Sequence, residues 1–163
     1  MITIDGSMHS GSGTIVRDGA AFAALTGQAV HVINVRTQRD RPGLRPQHLK
    51  ALQACAHLCQ GQLSQAHVGS KEFVFIPRGS IQGGEHHFEI GTAGSTTMLA
   101  MTILPLGLFA DQPCTFILRG GLFQDFAPSA LYMQQVLMTA LKPMGIRAGI
   151  EIHRPGYVPS GQG

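Results

Sequence analysis

The chain has 163 residues, 44% apolar and 13% charged, enough apolar surface for one ordinary domain or two small units sharing a core; a disordered tail is excluded. Its formal charge of +3 is uneven: residues 1–84 carry eight Lys and Arg against four Asp and Glu, and residues 85–163 carry four against five. An excess this small and localised suits one anionic group or a strand end better than a long duplex, and the lack of Trp argues against a base-stacking platform.

Taken in order, residues 2–4 form a short alternating strand stopped by Asp5 and Gly6. A loop of small residues, 7–13, leads into a helix over 14–25 ended by Gly27. Residues 30–35, rich in β-branched side chains, form a second strand. Pro46 opens a helix whose apolar positions Leu49, Leu52, Cys55, Ala56 and Cys59 keep helical spacing, and Gly61 ends it. Strands over 62–67 and 72–76 close the unit before Pro77.

The same order then returns: a strand at 87–90, loop and helix over 92–110, a strand at 114–119, a helix opened by Pro128 and running to 142, and a strand at 147–153. Gly6 pairs with Gly91, Arg36 with Arg119, Pro46 with Pro128, Gly61 with Gly145 and Pro77 with Pro159, all at separations of 82 to 85. Five landmarks at nearly one offset predict an α+β fold of two tandem β-α-β-α-β-β repeats, residues 1–84 and 85–163, each a small mixed sheet with two helices on one face. The helix within 98–109 is apolar all round and needs cover on more than one side, from the two units, a further unit or a second chain. The apolar run 98–110 is too short to span a bilayer.

Three cysteines, with no disulfide-framework spacing and no N-terminal signal pattern, point to a reducing, cytoplasmic setting. Cys55, His57 and Cys59 could suggest a metal, but both cysteines share a helical face with Leu52 and Ala56, so core packing is the expected role and no metal ligand is assigned.

The densest charge lies at 36–48, RTQRDRPGLRPQH, where Arg36, Arg39, Arg41 and Arg45 face only Asp40 just before a helix opens. Arginine's planar fork of donors matches phosphate oxygens, and a helix N-terminus adds unpaired N–H groups and the positive end of a dipole. The stretch reads equally as a phosphate-binding corner and as a solvated basic loop.

A series of ordered segments resembles the N-terminal half of the RNA 3'-terminal phosphate cyclases: IDGS at 4–7, IVR at 15–17, Arg36 with Arg39, PGLRPQH at 42–48, GGE at 83–85, IGTAGS at 90–95, RGG at 119–121, APS at 127–129, MGI at 144–146 and GYVPSGQG at 156–163. The resemblance implies an ATP-dependent conversion of an RNA 3'-phosphate into a 2',3'-cyclic phosphodiester. A histidine takes up AMP and passes it to the RNA phosphate, and the neighbouring 2'-hydroxyl displaces it. It also implies a scaffold of β-α-β-α-β-β units, similar to the C-terminal domain of a bacterial translation initiation factor, with Mg or Mn accompanying ATP and RNA 3'-phosphate ends as partners.

Residue by residue, the resemblance places Arg17, Arg36, Arg39 and Gln47 at the active site, and Ser10, Gly11, Gly13 and Thr14 on the nucleotide side. His48 matches the family pattern as a structural residue rather than a nucleophile. In the loop HSGSGT, Ser10 stands where the family has a glutamate and Thr14 where it has a glutamine, and a serine cannot give a divalent cation the charge of a carboxylate. Family chains are about twice as long, and their adenylylated histidine is expected in the part not present here. The implied function is therefore that of a cyclase portion lacking its nucleophile, completed by a C-terminal half or by self-association. The alternative is a catalytically silent module that binds RNA ends or acts as a scaffold. A third reading is a small-molecule activity on a similar unit, as in enolpyruvyl transferases.

Overall fold

Strand and helix alternate through the first unit because β-branched and helix-forming stretches alternate, and the computed structural model, which describes residues 1–163, realises the expected order there. β1 (Ile2–Asp5) lies parallel to β2 (Val30–Ile33), with Ile2 opposite Val30 and Asp5 opposite Ile33. After β3 (Gln62–Ser64) comes β4 (Phe73–Ile76), which runs antiparallel to both β2 and β3, so the mixed sheet has the order β1-β2-β4-β3. The parallel pair is joined by α1 (Gly13–Thr26), capped at its start by the Ser12 hydroxyl, which accepts from Thr14 N–H, and at its end by Gly27 in the left-handed conformation, φ 68°. α2 (Pro46–Leu58) begins with proline at its first position, where the missing N–H has no helical partner to lose.

The second unit opens with β5 (Gly84–Glu89), parallel to β6 (Cys114–Arg119) in a separate two-stranded sheet, with α3 (Thr96–Leu108) between them. The Ser95 hydroxyl caps α3 by accepting from Met98 N–H at 3.1 Å. A last helical segment, α4, spans 130–144 and changes pitch along its length: α at Ala130–Tyr132, π at Met133–Leu137, α at Met138–Leu141 and 3-10 at Lys142–Met144.

One apolar cluster joins both units. Phe73 and Phe75 of β4, Val30 and Val32 of β2, Val16 and Ala20 of α1, and Leu52, Cys55 and Leu58 of α2 are buried together with Leu99, Ile103 and Leu106 of α3. The all-round apolar helix thus finds cover from α1, α2 and β6, while Met101, Leu108 and Phe109 remain exposed. Cys55 and Cys59 sit in this core, and burial pushes the Cys55 thiol up, against ionisation. No helix is long and apolar enough to cross a membrane.

The second unit departs from the expected repeat. Residues 147–153 do not form a strand, so its order is β-α-β-α without the final two strands. The reason lies in sheet connectivity. In the first unit the corresponding strand, β3, bonds only to β4, and β4 alone ties it to β2. Nothing occupies the equivalent place beside β6, and around Pro159 the chain makes a local bridge between Tyr157 and Gly161 instead. An edge strand without a middle strand has no ladder to join, and the carbonyl of Ile150 accepts from the Gln134 side chain at 2.8 Å. β3 also stops sooner than its apolar pattern predicts, because the Ser70 hydroxyl turns the chain by donating to Gln65 O at 2.7 Å and accepting from His67 N–H at 2.9 Å.

Candidate functional site

Parallel strands β1 and β2 end side by side, and the chain leaves each toward a helix N-terminus; in such sheets the crevice beyond the strand ends is where ligands bind. The loop after β1 is tied down early: Asp5 Oδ1 accepts from Ser7 N–H at 2.9 Å, from the Ser7 hydroxyl at 2.7 Å and from Asn34 Nδ2 at 3.3 Å, which holds the Asp5 carboxyl below its usual range. The loop then passes Ser10, which is exposed, and Gly11, whose φ of 53° requires a residue tolerant of the left-handed region and whose α-carbon faces Gln38 of the arginine loop.

Arg17 stands one turn into α1 and is 7% exposed. Its Nη2 donates to Thr14 Oγ1 at 3.4 Å, and no carboxylate lies within ion-pair distance. Burial lowers its pKa; Asp18 opposes that through space and Arg36 adds to it. Arg36 occupies the left-handed region, φ 54°, unusual for a side chain of this size, and its Nη1 donates to the carbonyls of Arg41 at 2.8 Å and Gly43 at 3.1 Å. Burial and then the charges of Arg39 and Arg45 lower its pKa as well. The three ion pairs of the whole chain are all histidine with glutamate, so every Arg and Lys lacks an acidic partner. Arg39 is exposed at the outer rim, its N–H donating to Arg36 O at 3.1 Å.

His48 joins the pieces. It is 3% exposed, and its Nδ1 accepts from Arg45 N–H at 3.1 Å, which fixes the tautomer with the proton on Nε2. Its other edge lies against Gly13 at the start of α1, where a Cβ would come within 2.7 Å of Cδ2 and 2.8 Å of Cε1. Burial, then Arg17, Arg36 and Arg45, push its pKa down to about 3, so the imidazole is neutral. Gln47, beside it, reaches the second unit: its Oε1 accepts from Ser95 N–H at 3.3 Å, and its Cβ packs on Gly94. The N-terminal turns of α1, α2 and α3 therefore meet, through Gly13 with His48 and Gln47 with Ser95.

The structure thus gathers Gly11, Gly13, Thr14, Arg17, Arg36 and Gln47 around one corner and sets Arg39 at its edge, while Ser10 points to solvent. Arg45, one of the four arginines of the charged stretch, also belongs to the corner, as does Gln38, for which the sequence gives no signal. Three helix N-termini, the buried Arg17 and the partly exposed Arg36 and Arg45 make the corner anionophilic.

The class these features define is an α+β protein with a cationic, helix-framed corner at the ends of two parallel strands. Residues 8–163 match the family described as RTC: RNA 3'-terminal phosphate cyclase. Proteins named RNA 3'-terminal phosphate cyclase from Pyrococcus abyssi, Pyrococcus furiosus and Nitrosospira multiformis are 44%, 43% and 42% identical over 163 residues, covering all of this chain and 47%, 47% and 46% of their own. The chain belongs to the RNA 3'-terminal phosphate cyclase family and spans about half the length of the curated relatives it matches.

Proposed function

We propose that this corner holds the 3'-phosphate of an RNA end, as the phosphate-gripping portion of an ATP-dependent cyclase. The observation that carries the reading is Arg17, buried beside Arg36 and with no carboxylate within ion-pair distance. Burying a cation is costly, Asp18 offsets that only through space, and an arriving phosphate in direct contact offsets more of it. Arg17 and Arg36 then neutralise phosphate oxygens, and Arg39 closes on the group from the rim. The Gln47 amide nitrogen remains a neutral donor while its oxygen holds Ser95. Such fixed donors stabilise charge building on a phosphorus centre without reorganising.

ATP supplies the AMP that activates the phosphate. In the loop of Ser10, Gly11, Gly13 and Thr14, the N–H groups of Gly11 and Thr14 are bonded to Met8 O and the Ser12 hydroxyl, which leaves those of Ser10 and Gly13 for its phosphates. A divalent cation does not fit this chain's own donors: no three His, Cys, Asp or Glu side chains converge, and the Asp5 oxygen that faces the loop already accepts three hydrogen bonds. No step is assigned to a metal here.

A second reading, an RNA-end-binding module without chemistry of its own, is favoured by the state of the histidine in the corner. Nδ1 of His48 is occupied and its ring is pressed on Gly13, so no lone pair is free to attack ATP.

The test is fluorescence anisotropy with one short RNA carrying either a 3'-phosphate or a 3'-hydroxyl. The phosphorylated end binds at least about tenfold tighter if charge-assisted contacts of about 1.5 kcal/mol or more form. Equal affinities refute the reading.

A further inference from the structure

The loop from Thr92 to Ser95 is gripped from two sides. On one, the Gln47 Cβ packs on Gly94 and Gln47 Oε1 accepts from Ser95 N–H at 3.3 Å. On the other stands Gln124, half-buried in the loop after β6. One orientation of its amide pairs both polar atoms: Nε2 donates to Ala93 O and Oε1 accepts from Ser95 N–H at 2.9 Å. A single backbone donor, on a residue 2% exposed, thus faces two amide oxygens. At 2.9 Å the bond has its usual length and at 3.3 Å it is stretched, so Gln124 is the main acceptor and Gln47 the spare one. The backbone around Gln124 suits a holding role. Ser95 and Gly121 form a bridge just beyond β5 and β6, with Gly121 N–H donating to Gly94 O and Thr96 N–H to Gly121 O, both at 2.9 Å. A Cβ at Gly121 would collide with Ala93 O, so glycine is what lets the two loops come this close.

We propose that Gln124 is a positioning residue for phosphate capture: by keeping Ser95 N–H bonded, it frees the Gln47 amide to swing from the junction between units toward the phosphate. The proposal rests on the reading of the corner as a 3'-phosphate site and names a residue that reading does not include. Without Gln124, Gln47 would leave Ser95 only by stranding a buried N–H, and that cost would weaken phosphate binding. With Gln124 in place, Gln47 gives up the longer of two shared contacts and gains a hydrogen bond to a charged oxygen. Gln124 acts through Gln47 and has no need to touch the RNA.

The test is a double-mutant cycle read by fluorescence anisotropy, with the short RNA carrying a 3'-phosphate or a 3'-hydroxyl. Gln124→Met keeps the side-chain volume and removes both polar atoms. In the parent it is expected to weaken binding of the 3'-phosphate end by at least about fivefold, the cost of a stranded donor read as affinity, and to leave the 3'-hydroxyl end unchanged. In a Gln47→Ala background no amide has to swing, and the same substitution changes 3'-phosphate affinity by less than about twofold. A merely structural role gives the same factor in both backgrounds, and that result overturns the proposal. The parent supplies a second measurement that does not depend on how a variant folds. On titration with the 3'-phosphate RNA, the Gln47 side-chain amide resonances shift while hydrogen exchange at Ser95 N–H does not speed up. Faster exchange at Ser95, or an unmoved Gln47, overturns the proposal. Equal affinity of the parent for the two ends strikes the corner reading and the proposal with it; a parent that prefers the phosphate but fails the cycle strikes the proposal alone.

Discussion

Gly13→Ala is the substitution whose outcome follows most directly from the geometry. Glycine at the start of a helix ordinarily gains about 0.5–1 kcal/mol on replacement by alanine, through the entropy of the unfolded chain. Here the new methyl would overlap the His48 ring, meeting Cδ2 at 2.7 Å and Cε1 at 2.8 Å, and that ring cannot retreat without leaving Arg45 N–H. Overpacking costs about 1–3 kcal/mol and the lost bond about 1 kcal/mol, so after the entropic gain a net destabilisation of about 1–3.5 kcal/mol is expected. For a chain of this size that lowers Tm by about 2–14 °C in a thermal scan. In a His48→Ala background the obstruction is gone, and Gly13→Ala becomes neutral or mildly stabilising. Equal stability of Gly13→Ala and the parent, or equal effects in the two backgrounds, would refute the reasoning.

Three further outcomes are expected. His48 has a folded pKa of about 3 against an ordinary value of 6.5. The folded state therefore binds fewer protons than the unfolded one between those values, and the stability contributed by neutral His48 is complete above about 6.5 and lost as pH falls toward 3. The loss approaches about 1.4 kcal/mol per pH unit, and urea midpoints of His48→Asn should fall less over that window. Arg39→Ala, at the rim, weakens 3'-phosphate RNA binding by about tenfold or more and reduces the salt slope by about one, whereas unchanged affinity places Arg39 outside the contact. The 163-residue chain incubated with ATP and magnesium gains no mass, and an adduct of one AMP would overturn the account of its histidines.

The elements most legible in the sequence were those fixed by neighbours close in the chain. Pro46 and the spacing of Leu52, Cys55 and Cys59 announced α2, and Gly27 and Gly61 marked where helices stop. The arginine cluster showed dense positive charge, but local sequence reads equally as a phosphate-binding corner and as a solvated loop. What stayed hidden depends on residues far apart. The fit of His48 on Gly13 crosses 35 positions, and the bond from Ser95 to Gln47 crosses 48. Neither leaves a periodic trace. The pattern at 147–153 misleads for a related reason: alternation records that a segment can face a core, but an edge strand exists only if a partner lies beside it. The left-handed φ of Arg36 was equally invisible, since arginine carries no local preference for it.

Gln47 sits at the junction between units and beside the corner proposed to hold phosphate. Its oxygen accepts from Ser95 N–H at 3.3 Å, but the amide oxygen of Gln124 also accepts from that N–H at 2.9 Å, so Gln47→Ala leaves the buried donor paired and costs no more than about 1 kcal/mol. Gln47→Glu separates the two roles. The carboxylate still accepts from Ser95 and adds a negative charge within the first turn of α2, which stabilises by about 0.3–1 kcal/mol. The same charge competes with a phosphate for the helix N-termini and removes the amide donor. Gln47→Glu should therefore melt at or above the parent temperature while losing at least about tenfold in affinity for 3'-phosphate RNA. A variant that is more stable and binds as well as the parent would place the phosphate away from α2, and with it the role assigned to the three converging helix N-termini.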